Sequence, residues 1–222
     1  MQNIKNYREK ELNNYVIGNI LLIFYFSKSF SSIFYQENVS FSLLFKAFVE
    51  SGFVISIIYI YVFLFDSMIP SDIKIKIAYL HLGKLPGFTI FTKMKESVRD
   101  IRFTKEDAMD KYKNIYDNMP KDQKNKERYE NIEWYKIYSS YKKEEKIRIS
   151  NRDFLLCRDI NLMTISLLIM YVLFVGLKAL EFSKIIIFIL IMEFIVSNIA
   201  MRANANRLAY NVISEDIHRH DI

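Results

Sequence analysis

The chain has one cysteine, three prolines, five glycines and three histidines in 222 residues, and each scarcity excludes something. A single thiol, Cys157, forms no internal disulfide. So few glycines and prolines leave no room for a Gly- or Pro-rich linker, a Gly-rich phosphate loop or a nucleophile elbow. They also disfavour a small transporter, whose spans are usually broken by those residues. The histidines are His81, His218 and His220, and the terminal His-Arg-His-Asp reads as a frayed tail rather than a metal site. No zinc spacing and no internal repeat of the solenoid kind is present. The chain therefore reads as a non-enzyme with no cofactor.

What is abundant is apolar length: hydrophobic residues make up 51% of the sequence. They gather in four runs, Tyr15–Tyr35, Phe41–Phe65, Ile160–Phe182 and Ile185–Met201. Each is long enough to cross about 30 Å of hydrocarbon at ~1.5 Å per residue. The expectation is an all-α membrane protein of four transmembrane helices in two hairpins. Residues 1–66 form the tail and first hairpin, 67–158 a mainly helical polar domain, and 159–222 the second hairpin with a C-terminal helix. Lys and Arg collect in the tail (Lys5, Arg8, Lys10), the central domain and the C-terminal flank (Arg202, Arg207). By the positive-inside rule both termini and the central domain lie in the cytoplasm, beside a bacterial inner membrane. Glu9 and Glu11 in the tail, and the absence of a small-residue cleavage site, argue against a signal peptide.

The central domain carries the charge. Over residues 71–160, Lys and Arg against Asp and Glu give 21 − 15 = +6, which equals the net charge of the whole chain. Seven of the fifteen tyrosines and the only tryptophan, Trp134, lie there too. Residues 73–77 alternate isoleucine and lysine, which fits a strand or, preferably, a juxtamembrane helix. The short run 88–91 reads as extended. Thr104 with Asp107 predicts a capping box opening a helix that Met119-Pro120 ends. A long amphipathic helix is expected over 121–146, and a new one capped by Ser150 or Asn151 leads into the third span. Trp134, Tyr135, Tyr138, Lys142, Lys143, Arg148, Arg152 and Arg158 interleave cations with π-faces, as a site for phosphates and stacked bases would. Anionic lipid and ordinary helix packing account for the same residues equally well.

Charges also enter the apolar runs. Lys28 and Glu50 come to similar depth in the first hairpin and can pair; either Lys28 and Lys46 snorkel outward with Glu50 neutralised between them, or the three line a water-filled path. In the last run Glu193, Ser197, Ala200, Asn204 and Arg207, with Asn211 beyond, follow at three- and four-residue steps on one helical face. Lipid cannot satisfy such a stripe, so it faces protein or water. Glu193 is either an interhelical hydrogen-bond partner or one member of a carboxylate ring around an oligomeric pore.

Several stretches resemble the Hailong-type family, small four-span membrane effectors of bacterial anti-phage systems. They are Leu85-Pro86-Gly87 with Phe91, Asp100-Ile101-Arg102, residues 133–138 (EWYKIY) and residues 151–159 (NRDFLLCRD). The resemblance covers the central domain and its junction with the third span. It implies a homo-oligomer, a tetramer by analogy, that forms an ion channel and depolarises the inner membrane during infection. It further implies a nucleotide or short single-stranded DNA ligand on the central domain and a partner nucleotidyltransferase encoded nearby. The rival reading is a non-channel adaptor that recruits a cytosolic protein or anionic lipid.

Overall fold

The computed structural model describes residues 4–27, 41–80, 83–98 and 100–219, with no side-chain description at 4–7, 41–48, 50 and 51. Lys28 and the side chains of Lys46 and Glu50 therefore lie outside the described residues, as do His81 and His220. Among the described residues every regular element is helical. In chain order they are α1 (Ile4–Phe26), α2 (Phe41–Met68), α3 (Ser71–Ala78), a 3-10 turn (Pro86–Phe88), α4 (Ile90–Glu96), α5 (Lys105–Lys111), α6 (Lys113–Asp117), α7 (Gln123–Tyr141), α8 (Glu145–Gly176) and α9 (Lys184–His218). The all-α expectation holds.

These helices form two compact units. The apolar unit comprises Met1–Ala78 and Leu156–Ile199; the polar unit comprises Tyr79–Leu155 and Ala200–Ile222. The division differs from a central domain of 67–158, because α3 belongs with the apolar helices and the second half of α9 with the polar ones. The sequence contains the reason for the second difference. Ala205, Leu208, Ala209, Val212 and Ile213 are buried at helical spacing, and Ala209 and Ile213 pack with Ile90, Phe91 and Tyr112.

In the apolar unit, Leu12, Val16, Ile20, Ile23 and Phe24 of α1 pack on Ile58 and Val62 of α2, on Met163, Leu167 and Tyr171 of α8, and on Ile186 and Leu190 of α9. The opposite faces are apolar as well. Leu21, Phe53, Leu64, Val172, Leu173, Phe188, Val196 and Ile199 are all more than half exposed. Apolar exposure on every helix of one unit marks a surface made for hydrocarbon. Two described helices, α8 and α9, are long and apolar enough to cross a membrane. A third span counts if Gly52–Met68 and α3, which meet at a 105° bend, act as one. Pro70 sits at that bend, where it removes a donor and disfavours helical geometry in the residue before it.

The polar unit departs from expectation in three places. Residues 88–91 are not extended: Pro86 opens a 3-10 turn, and Ile90, Phe91 and Met94 then bury one face of α4. The long helix over 121–146 is two helices, α7 and α8, separated at 142–144 with no glycine or proline between them. Tyr141 and Ile147 are both buried, although six residues of continuous helix would turn them to different faces; the break brings both inward. No cap operates at Ser150 or Asn151, since α8 runs unbroken from Glu145 to Gly176. Ser150 instead donates to the carbonyl of Lys146 (2.9 Å) and accepts from Asn211 (2.6 Å). The expected capping box is present: Asp107 N–H donates to Thr104 Oγ1 at 3.1 Å, and Thr104 N–H to Asp107 Oδ2 at 2.7 Å. Residues 73–77 are helical.

Candidate functional site

Inside the apolar unit a series of polar groups runs along α8 against its neighbours. Asp159, buried at the start of the apolar part of α8, accepts from Arg158 Nε (2.9 Å) and Nη2 (2.7 Å). Lys74 of α3 reaches the same carboxylate at 3.8 Å and Asp66 of α2 at 2.6 Å, while Arg8 of α1 lies 3.9 Å from Asp159. Three cations thus converge on two carboxylates, which join α1, α2, α3 and α8. Asn161, fully buried, donates to Ser197 Oγ (3.0 Å) and to the carbonyl of Phe194 (3.1 Å). Further along, Tyr15 Oη donates to Glu193 Oε2 and lies equally close, at 2.6 Å, to Thr164 Oγ1. Asn198 donates to the carbonyl of Ala78.

Two members of this series hold a buried polar atom without a hydrogen-bond partner, Asn161 Oδ1 and Arg8 Nε. Buried groups of that kind normally find water or an ion, because leaving them unpaired costs about 1–3 kcal/mol. The series thus carries unspent hydrogen-bonding capacity inside an apolar unit. The sequence reading found Glu193 and Ser197 but not their partners Tyr15, Thr164 and Asn161, nor Asp66, Lys74 and Asp159. An intramembrane Asn or Thr facing α9 was a usable signal; the pairing of Lys74 with Asp66 and Asp159 needed the bend at Pro70.

The stripe on α9 divides between the two units. Glu193 is half-buried, Ser197 buried and Ala200 half-buried. Asn204 is half-buried, and Arg207 is exposed with Asp153 at 3.7 Å.

In the polar unit the eight residues expected to bind ligand do not form one cluster. Trp134 stacks on Tyr138 (centroids 5.4 Å, planes 12° apart) and packs with the core of Phe91 and Tyr116. Gly87 faces that ring so closely that a Cβ there would meet Trp134 Cε3 at 3.0 Å and Asn131 Oδ1 at 2.9 Å. Tyr135 is exposed beside the pair, and Lys142 and Lys143 are exposed in the α7–α8 break. Arg148 is half-buried on α8, and Arg152 is engaged with Asp153 at 2.6 Å. Arg158 belongs to the apolar unit and is buried against Asp159.

A different set of cations lines an open groove of about 520 Å³: Lys84, Lys93 and Arg202, with Tyr79, Thr89 and Asn206. The Arg202 guanidinium lies over the Tyr79 ring, 5.1 Å from its centroid, and donates to the Tyr79 carbonyl at 3.3 Å. Burial pushes the Tyr79 phenol up, against the opposing charge of Arg202. Leu80, next in the chain, adopts φ 52°, the left-handed region that a leucine rarely takes. Gly83 leaves room for the Tyr79 ring, since a Cβ there would meet Cδ1 at 2.7 Å. Lys84 pairs with Glu127, whose carboxyl is held below its usual range by that lysine and by Gln123.

Elsewhere in the polar unit Asp100 and Arg102 pair, which lowers the carboxyl, and Arg102 donates onward to Asn211 Oδ1 at 2.7 Å. Asp216 accepts from Tyr112 (2.8 Å) and Tyr141 (3.0 Å). Burial, followed by bonding to Asp216, pushes the Tyr141 phenol up to about 12, and burial followed by the Asp216 charge raises Tyr112. Glu130, 1% exposed, accepts from Thr92 N–H (3.1 Å) and from the Thr92 hydroxyl, and burial raises its carboxyl. Among the described residues no group of three His, Cys, Asp or Glu side chains is placed to hold a metal. No known family, curated protein or solved structure matches the chain.

Proposed function

We propose that the protein is a four-span effector of the bacterial inner membrane that assembles into a homo-oligomeric ion channel, a tetramer by analogy. A nucleotide or short oligonucleotide on the polar unit gates it, and it depolarises the membrane in anti-phage defence. The observation that carries the reading is Glu193. Its carboxylate sits midway along the apolar stretch of α9, half-exposed, with Ile191, Met192, Ile195 and Val196 exposed around it. A carboxylate at that depth costs roughly 2.5–3.5 kcal/mol on insertion scales unless water or protein covers it. Tyr15 covers one oxygen. A ring of copies around an aqueous path covers the rest, and the unpartnered Asn161 oxygen behind it gives water a second foothold.

Gating by a ligand rests on exposed Tyr135 beside the Trp134–Tyr138 stack and on Lys142 and Lys143 at the end of α7. The test is ion flux from liposomes holding the purified full-length protein, with mass measurement in nanodiscs and titration with short oligonucleotides. Cation flux from an oligomer that oligonucleotides modulate supports the reading. A monodisperse monomer without flux ends it and leaves the membrane adaptor.

A further inference from the structure

The groove of Lys84, Lys93 and Arg202 stands apart from the residues that the channel reading uses. It brings three cations against one carboxylate, Glu127, and adds the Thr89 hydroxyl and the Asn206 amide as neutral donors. Its two ends enter from different parts of the chain. Tyr79 directly follows Ala78, the last residue of the apolar unit in that segment, and on α9 Arg202 comes three residues after Ile199, the last apolar-unit residue there. Arg202 is held over the Tyr79 ring, which fixes the position of its guanidinium at the groove. Lys93 projects from α4, is exposed, and forms no ion pair among the described residues. The Lys84–Glu127 pair is itself largely exposed on the lysine side, so Lys84 turns to a stronger anion at little cost.

We propose that this groove binds a phosphate-bearing anion. The guanidinium and the two lysines supply positive charge, and Thr89 and Asn206 donate to the remaining oxygens. Two sources offer that chemistry: the headgroup of an anionic phospholipid, close in sequence to both apolar segments, and a soluble phosphate ester. A basic, aromatic-walled groove whose Tyr79 and Arg202 follow apolar segments closely in sequence favours the headgroup.

Native mass spectrometry of the full-length protein in detergent tests this, with short-chain phosphatidylglycerol, short-chain phosphatidylcholine and inorganic phosphate as probes. The expected result is one phosphatidylglycerol per chain, displaced by phosphate and not by phosphatidylcholine. Lys93→Gln and Arg202→Gln should each weaken it roughly tenfold, the loss of one charge-assisted contact. Lys105→Gln and Lys113→Gln, which remove the same charge from exposed positions outside the groove, should leave it unchanged. If Arg202→Gln fails to fold, Lys93→Gln carries the test alone, because its side chain is exposed. Tighter binding of phosphatidylglycerol than of phosphate assigns the lipid as source; equal binding assigns the soluble ester. Absence of binding, equal binding of phosphatidylcholine, or equal weakening by the control variants would overturn the proposal.

Discussion

Trp134 shows how one residue can carry two readings that only packing separates. By type and neighbours it is a base-stacking platform, yet its half-buried ring lies against Gly87 and packs on the core of Phe91 and Tyr116. Trp134→Ala should therefore cost about 0.5–3 kcal/mol of stability through lost packing, whatever happens to ligand binding. Gly87→Ala should cost about 1–3 kcal/mol, because the new methyl meets Asn131 and the indole inside contact distance. Thermal unfolding in detergent measures both, and a wild-type melting point for Gly87→Ala would contradict the packing. Tyr135→Ala is the cleaner probe of stacking, since that ring is exposed. Glu130 makes a prediction of opposite kind. Burial raises its carboxyl above the ordinary 4.5, so the folded state holds the proton more tightly than the unfolded chain does. Its contribution is complete below about pH 4.5 and is lost as pH rises through the raised value. Glu130→Gln keeps an acceptor for Thr92 N–H and a donor for its hydroxyl, so it should flatten that part of the stability–pH curve. An unchanged slope in the Gln variant would remove Glu130 as its source. Nothing in the sequence marked Glu130 as buried, because one carboxylate on a charged helix looks like all the others.

At the scale of elements, local signals with a stereochemical cause were legible and tertiary ones were not. Thr104 and Asp107 announce their capping box, because both halves of the motif lie within four residues. Thr104→Ala should cost about 1 kcal/mol by leaving the Asp107 N–H without its partner, read from the unfolding midpoint. The break between α7 and α8 had no such local cause. It arises because Tyr141 must reach Asp216 while Ile147 enters the core, and Asp216 lies 75 residues further along the chain. The 88–91 stretch was misread from its two β-branched residues, although Met94, four residues after Ile90, already continued a helical face. Ser150 was misread as a cap because a serine before a hydrophobic run fits one. Its hydroxyl is instead committed to Lys146 and Asn211 within a helix that never stops.

At the scale of the molecule, the apolar unit was visible as long apolar runs, and most of the polar unit as the stretch 71–160, whose charge equals that of the whole chain. What joined α9 to the polar unit was visible too, in Ala205, Leu208, Ala209, Val212 and Ile213, but a stripe of polar residues on the same helix drew the reading toward the membrane. That stripe sets the last prediction. Glu193 has an intrachain partner, Tyr15, so a hydrogen bond and a pore ring are no longer exclusive. Glu193→Gln preserves shape and still accepts from Tyr15, but it removes the charge. Tyr15→Phe preserves the charge and removes the donor. If Glu193 shapes a cation path, the Gln variant should lose cation selectivity in planar-bilayer recordings while the oligomer persists. Tyr15→Phe should keep selectivity and lose only the stability of one interhelical bond, about 0.6 and at most ~1.7 kcal/mol. Glu193→Leu should leave assembly intact and close the path by dewetting. If the carboxylate serves only to hold Tyr15, conductance and selectivity are indifferent to Gln, and wild-type recordings from that variant would sink the pore reading.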